Sequence, residues 1–251
     1  MGAPRDVPAP DVPGAVTVAL PPALRFLLPP RDRADGMRRL RFDPDATLGH
    51  LVRAAGVPPT EIGAVRLDGQ PAPLTARARP GSTVALEEVA RPEPAPDGGY
   101  LLDVGLGTLA RRLRLLGLDA AWSNRAEDAD LVTRADEEDR VLLTQDRGLL
   151  MRRALARGAL VRGAGTDDQL TDVLDRFAPE LAPLTRCPAC GGVVRPVPTA
   201  EVAPLLEPGT LRSHAEFSRC VSCGQVYWRG AHAGRIDALV AAARSAAGRR
   251  G

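Results

Sequence analysis

Twice between Tyr100 and Leu150 the chain runs through a short apolar stretch that stops near an aspartate: Tyr100-Leu101-Leu102-Asp103, and Val141-Leu142-Leu143-Thr144-Gln145-Asp146. Neither run alternates polar with apolar residues. That is the pattern of strands covered on both faces, which belong to parallel sheets. Helical periodicity follows, with Leu109, Leu113 and Leu116 on one stripe and Leu131, Val132 and Ala135 on another. Strands are expected near residues 101–104, 119–123, 141–144 and 159–162, and helices near 108–116, 128–139, 148–155 and 166–177. The expected fold is α/β, a parallel sheet with helices on both faces. Ligands of such sheets bind beyond the carboxyl ends of the strands. Asp103 and Asp146 are therefore expected to meet in one crevice.

The flanks read differently. Residues 1–14, rich in Pro, Ala and Asp, are expected to form a disordered lead-in. Over residues 15–90 two strand-like runs (Val16-Thr17-Val18-Ala19-Leu20 and Leu24-Arg25-Phe26-Leu27-Leu28) lead through a charged turn at 31–36 to Met37-Arg38-Arg39-Leu40-Arg41-Phe42, and a helix over 48–55 follows with Thr47 as its N-cap. Val65-Arg66-Leu67 then runs into Asp68-Gly69, a hairpin signal, and Val84-Ala85-Leu86-Glu87-Glu88-Val89 ends the segment. Together these describe a β-grasp layout. A Pro/Gly linker at 91–99 leads to the α/β domain at 100–180. A cysteine-bearing unit follows at 184–235, with a helix or tail at 236–251.

Composition excludes some chemistries. The chain has no lysine, so a Walker A phosphate loop is impossible and a phosphoaspartate switch is disfavoured. A net charge of +2 is weak evidence for a nucleic-acid partner. No apolar run reaches the ~20 residues needed to span a bilayer, and the N-terminus lacks a signal peptide's pattern. No membrane association and a cytoplasmic location are expected.

Two kinds of metal site are suggested. Cys187-Pro188-Ala189-Cys190 and Cys220-Val221-Ser222-Cys223 supply four thiolates in paired CxxC motifs, the spacing of a structural zinc ribbon. The acids suit a hard cation such as Mg²⁺ or Mn²⁺, which takes carboxylate oxygens and water. Asp103 and Asp146 end their strands, and Asp128 and Asp130 at the start of a helix can close the ring. Taken singly, Asp103, Asp128 and Asp146 can each also serve as a helix cap, but three acids coinciding at strand ends favour the shared site.

The motifs Leu101-Leu102-Asp103, Leu109-Ala110-Arg111-Arg112-Leu113-Arg114-Leu115-Leu116-Gly117, Leu142-Leu143-Thr144-Gln145-Asp146-Arg147 and Tyr227-Trp228-Arg229-Gly230-Ala231-His232 carry a resemblance. They are similar to those of the Mut-seven C-terminal RNase family, a branch of the PIN-like nucleases. That family also carries an N-terminal ubiquitin-like domain and two CxxC pairs in this order. Residues 51–86 resemble its ubiquitin-like domain through Gly56-Val57-Pro58, Thr60-Glu61, Asp68-Gly69-Gln70 and Pro80-Gly81.

The resemblance implies a PIN-like three-layer sheet and a metal-dependent ribonuclease. Asp103, Asp128 and Asp146 would be its Mg or Mn ligands and Asp130 a fourth acid. Arg111, Arg114, Arg147 and His232 would face RNA. A protein partner for the ubiquitin-like domain is a further implication. Arg112 stands where the family more often has Trp, and Gln145 where it more often has Arg. The rival reading is a non-catalytic RNA-binding or adaptor protein that keeps the fold.

Overall fold

The structure, a computed structural model, describes residues 14–230 and 233–248. The expected disordered lead-in falls almost wholly outside the described residues, as does His232. Two compact units divide the chain, Met1–Ala90 and Arg91–Gly251.

The first unit holds β1 (Val16–Ala19), β2 (Met37–Leu40), α1 (Leu48–Ala54), β3 (Ile62–Leu67), β4 (Gln70–Pro71) and β5 (Thr83–Glu88). Its sheet runs β2-β1-β5-β3-β4, with β1 parallel to β5 and the other pairs antiparallel. Val16, Val18, Val84 and Leu86 of the sheet are buried, as are Leu48, Leu51 and Val52 of α1. Thr47 caps α1 as expected, its hydroxyl accepting from the His50 N–H at 3.3 Å. Asp68-Gly69 makes the hairpin turn, both residues at positive φ.

One expected strand is absent. Pro22–Leu27 forms a 3₁₀ segment instead. Pro21 and Pro22 offer no N–H to a ladder, and Leu24, Leu27 and Leu28 lie at a helical spacing that buries all three.

The second unit opens with β6 (Tyr100–Leu102), α2 (Gly107–Leu115), β7 (Ala120–Trp122), α3 (Asp128–Glu137), β8 (Val141–Thr144), α4 (Arg147–Leu150), β9 (Gly158–Leu160) and α5 (Thr166–Phe177). These four strands are parallel, in the order β7-β6-β8-β9. Tyr100, Leu102, Val141, Leu143 and Ala159 share a core with Leu109 and Leu113 of α2 and Leu170, Val173 and Phe177 of α5. The intervening Leu101 and Leu142 are fully buried and turn to the other face, where α3 and α4 pack. Truncating such a leucine to alanine costs about 2–5 kcal/mol.

The chain continues through β10 (Val194–Val197), α6 (Thr199–Val202), α7 (Pro208–Ser213), β11 (Phe217–Cys220), β12 (Val226–Trp228) and α8 (Ala233–Gly248). β10, β11 and β12 form an antiparallel sheet over a small core of Val202, Phe217 and Val226. α8 returns to the parallel-sheet unit, burying Ala243 beside α5, with Leu239 and Val240 packed alongside.

The segment before β6 is docked rather than loose. Arg91 pairs with Asp172 at 2.8 Å and with Asp175 at 2.9 Å, and Glu93 pairs with the buried Arg176. Gly98 and Gly99 are demanded by close packing. A Cβ at Gly98 would lie 2.3 Å from the Glu138 carbonyl oxygen, and one at Gly99 would lie 2.6 Å from that of Asp119.

Candidate active site and metal centre

Strand order decides where the acids meet. From β6 the chain moves to one side for β7 and crosses back for β8, so the crevice between β6 and β8 is the topological switch point. Asp103 follows β6 there, and Asp146 lies just beyond β8. Thr144, the last residue of β8, joins them. Its fully buried hydroxyl donates to Asp103 Oδ2 at 2.6 Å and accepts from the Asp146 N–H at 2.9 Å.

Each acid also caps a turn. Asp103 Oδ1 accepts from the Val104 N–H at 2.6 Å, and Asp146 Oδ1 accepts from the Gly148 N–H at 2.7 Å. The capping role and the crevice placement thus coexist in the same carboxylates. Trp122, at the end of β7, donates its indole N–H to the Val104 carbonyl at 3.1 Å and packs over Gly107. It holds the turn that follows Asp103.

The remaining acids are looser. Asp128 is an exposed residue in the first turn of α3 and pairs with Arg152 at 3.1 Å. Asp130 is exposed in the same turn. Among the described residues, Asp103, Asp128 and Asp146 do not form a set whose ligand oxygens all lie within 4.8 Å of one another.

The arginines divide. Arg111 and Arg147 are exposed, and Arg112 pairs with Asp167. Arg114, expected to face RNA, is instead 2% exposed. Its Nε donates to the Ala120 carbonyl at 2.7 Å, and its Nη1 to the Pro188 and Ala189 carbonyls at 3.2 and 3.0 Å. Helical phase explains this, since Arg114 follows Leu113 on the inward side of α2 while Arg111 lies on the outward side. Burial lowers the Arg114 pKa, while the Cys190 and Cys187 thiols beside it work in the opposite sense.

The thiols of Cys187, Cys190, Cys220 and Cys223 do converge, with all four Sγ atoms within 4.8 Å of one another. Cys187 and Cys223 are 3.7 Å apart, and Cys190 and Cys220 are 3.5 Å apart. A tetrahedral zinc with Zn–S bonds of ~2.3 Å needs sulfurs about 3.8 Å apart, so the set fits that ion. Gly191 and Gly224, both at positive φ, close matching turns by donating to the Cys187 and Cys220 carbonyls.

Peptide N–H groups aim at the sulfurs, from Gly192 to Cys190 and from Ser222 and Cys223 to Cys220. Burial raises the Cys220 pKa, but the Cys223 and Ser222 N–H groups together with the neighbouring Cys190 and Cys223 thiols outweigh it and bring the thiol down to about 6. Burial pushes the Cys190 thiol up to about 12. The Tyr227 hydroxyl lies 2.9 Å from Cys187 Sγ and completes the surroundings.

Sequence reading missed Thr144, Trp122 and Tyr227. Thr144 carried a signal as the one polar residue in an otherwise apolar strand, and Tyr227 as part of the closing motif at 227–232.

No helix among the described residues is long and apolar enough to cross a membrane. The Mut7-C RNAse domain model matches residues 99–240, and the Mut7-C ubiquitin model matches residues 14–93. No curated protein and no solved structure matches the chain. The RNase-domain match covers more than half of the sequence, and the chain belongs to the Mut7-C RNase family.

Proposed function

We propose that this protein is a metal-dependent ribonuclease that hydrolyses RNA phosphodiesters at the crevice between β6 and β8. The reading rests on one observation: Asp103 and Asp146 sit at the ends of neighbouring strands, tied through a single buried hydroxyl. Mg²⁺ is usually held by one or two carboxylates with water and substrate phosphate filling the rest. Two strand-end acids therefore suffice, and Asp128 and Asp130 extend the acidic rim. A bound Mg²⁺ or Mn²⁺ would supply charge stabilisation at the phosphate and activation of water.

The protein's own residues do the positioning. Thr144 fixes the Asp103 carboxylate through its Oδ2 and the Asp146 backbone through its N–H, so both acids keep their register without substrate. Arg111 and Arg147, on the exposed faces of α2 and α4, supply the cationic contacts that guide the RNA backbone. In the family's PIN-like arrangement the covered parallel sheet is the rigid platform. The four cysteines hold a structural zinc that stabilises the β10-β11-β12 sheet, and the ubiquitin-like domain is a docking module for a protein partner.

The test is incubation of the purified protein with mixed RNAs in Mn²⁺ or Mg²⁺, beside Asp103→Asn and Asp146→Asn. The reading expects cleavage that needs the cation and is lost in both variants. Equal cleavage by all three proteins would assign the activity to a contaminant. One observation favours a second reading, a non-catalytic RNA binder: Asp128 is engaged by Arg152, and the three acids are not gathered within ligand distance. That protein would bind RNA equally well with and without chelator and release no products.

A further inference from the structure

We infer that Arg114 is a positioning residue, through which the four-cysteine centre holds strand β7 and, by way of Trp122, the turn carrying Asp103. Its guanidinium is buried and reaches three backbone carbonyls in two different substructures. Ala120 lies at the start of β7, and Pro188 and Ala189 lie inside the first cysteine turn. A second arginine ties the same places together. Arg186 pairs with Asp119 at 3.1 Å, one residue before β7, and donates to the Gly191 carbonyl at 3.3 Å, one residue after Cys190.

From β7 the link continues. Trp122 donates to the Val104 carbonyl, and the Val104 N–H donates to Asp103 Oδ1. Both arginines end on carbonyls whose positions are set by the thiolate cluster. The metal ties the four sulfurs together in place of their protons, so removing it frees the thiols from one another and loosens this turn. Arg114 then keeps one of its three acceptors while remaining buried, a state that polar groups avoid by opening the local structure. The end of β7 is the nearest place that can open. β9, on the far side of the sheet, receives none of these bonds.

The inference deepens the ribonuclease reading, because it assigns the cysteine centre a part in holding Asp103. Its test uses no RNA, and so stands or falls separately from cleavage. The full-length protein would be compared with and without a chelator by hydrogen exchange. Trp122 emission would be followed in a Trp228→Phe background, which leaves Trp122 as the only tryptophan.

Stripping the metal should speed exchange across residues 118–122 at least about tenfold, leave β9 unchanged, and shift Trp122 emission to the red. Metal-loaded Arg114→Met should show the same changes at β7, and Arg114→Lys, which keeps a donor, should reverse part of them. If Arg114→Met does not fold, the chelation experiment on the parent chain decides alone. Unchanged exchange and emission at β7 on stripping would overturn the inference, as would an equal rise at β9.

Discussion

The cysteine cluster and the acid crevice place candidate metal ligands in opposite ways. The four Sγ atoms are already within 4.8 Å of one another, each pair brought in by a glycine turn and met by peptide N–H groups. The three carboxylates are not gathered in that way: Asp103 and Asp146 each spend an oxygen on a cap, and Asp128 is turned toward Arg152. Backbone geometry alone assembles the soft site. A hard cation that keeps several waters does not need its ligands pre-gathered to the same degree. On the proposed roles, the centre that stabilises the fold is built tightly and the one that admits substrate is built with slack.

The largest expected effect would sharpen that contrast. Cys220→Ser should abolish zinc binding and melt the β10-β11-β12 sheet, since structural zinc contributes about 10–16 kcal/mol to small domains. Metal analysis and NMR of the variant check it, and a folded sheet without zinc would break the comparison. Asp103→Asn comes next, with cleavage falling roughly a thousandfold, about 4 kcal/mol of transition-state stabilisation. Its thermal stability should fall by only about 1 kcal/mol, the value of a lost cap. A large loss of stability with little loss of rate would make Asp103 structural.

Thr144→Val should lower Mn²⁺ affinity or rate about 10- to 100-fold, as removal of a group that orients a ligand does, whereas Thr144→Ser should retain both. Calorimetric titration separates the two variants. The smallest effect is Arg152→Ala. The pair is half exposed, so stability should change by less than about 1 kcal/mol, while Mn²⁺ binding tightens as Asp128 is released. Weaker binding would show that Arg152 helps to assemble the site.

The sequence made β8 legible to the residue, because Val141–Thr144 is a clean apolar run between polar ends. The same logic led residues 24–28 astray, where the leucine pattern fits a strand and a helix turn alike and the two prolines decide. β11 went unseen because Phe-Ser-Arg-Cys carries too little apolar signal, and its position is set by pairing with β10 and β12. α4 is shorter than its pattern suggested. After Met151 the backbone turns through Arg152 N–H to Leu149 and Leu155 N–H to Arg152, tight bonds that end the helix.

Site chemistry divides along the same line. The CxxC spacing announced the thiol cluster, and strand ends announced Asp103 and Asp146. Whether an arginine on α2 faces solvent depends on helical phase and on a cysteine turn distant in sequence. That is why Arg114 was expected outside and lies inside. Gly98-Gly99 similarly owes its identity to the carbonyls of Glu138 and Asp119, which no local pattern reveals.

The central claim is that Asp103 and Asp146 jointly hold a divalent cation, and Mn²⁺ electron paramagnetic resonance tests it most directly. Titrating Mn²⁺ into the zinc-loaded protein should give a saturable bound signal that Asp103→Asn and Asp146→Asn each remove while the zinc content stays intact. A bound signal of equal strength in the parent chain and both variants would contradict the account.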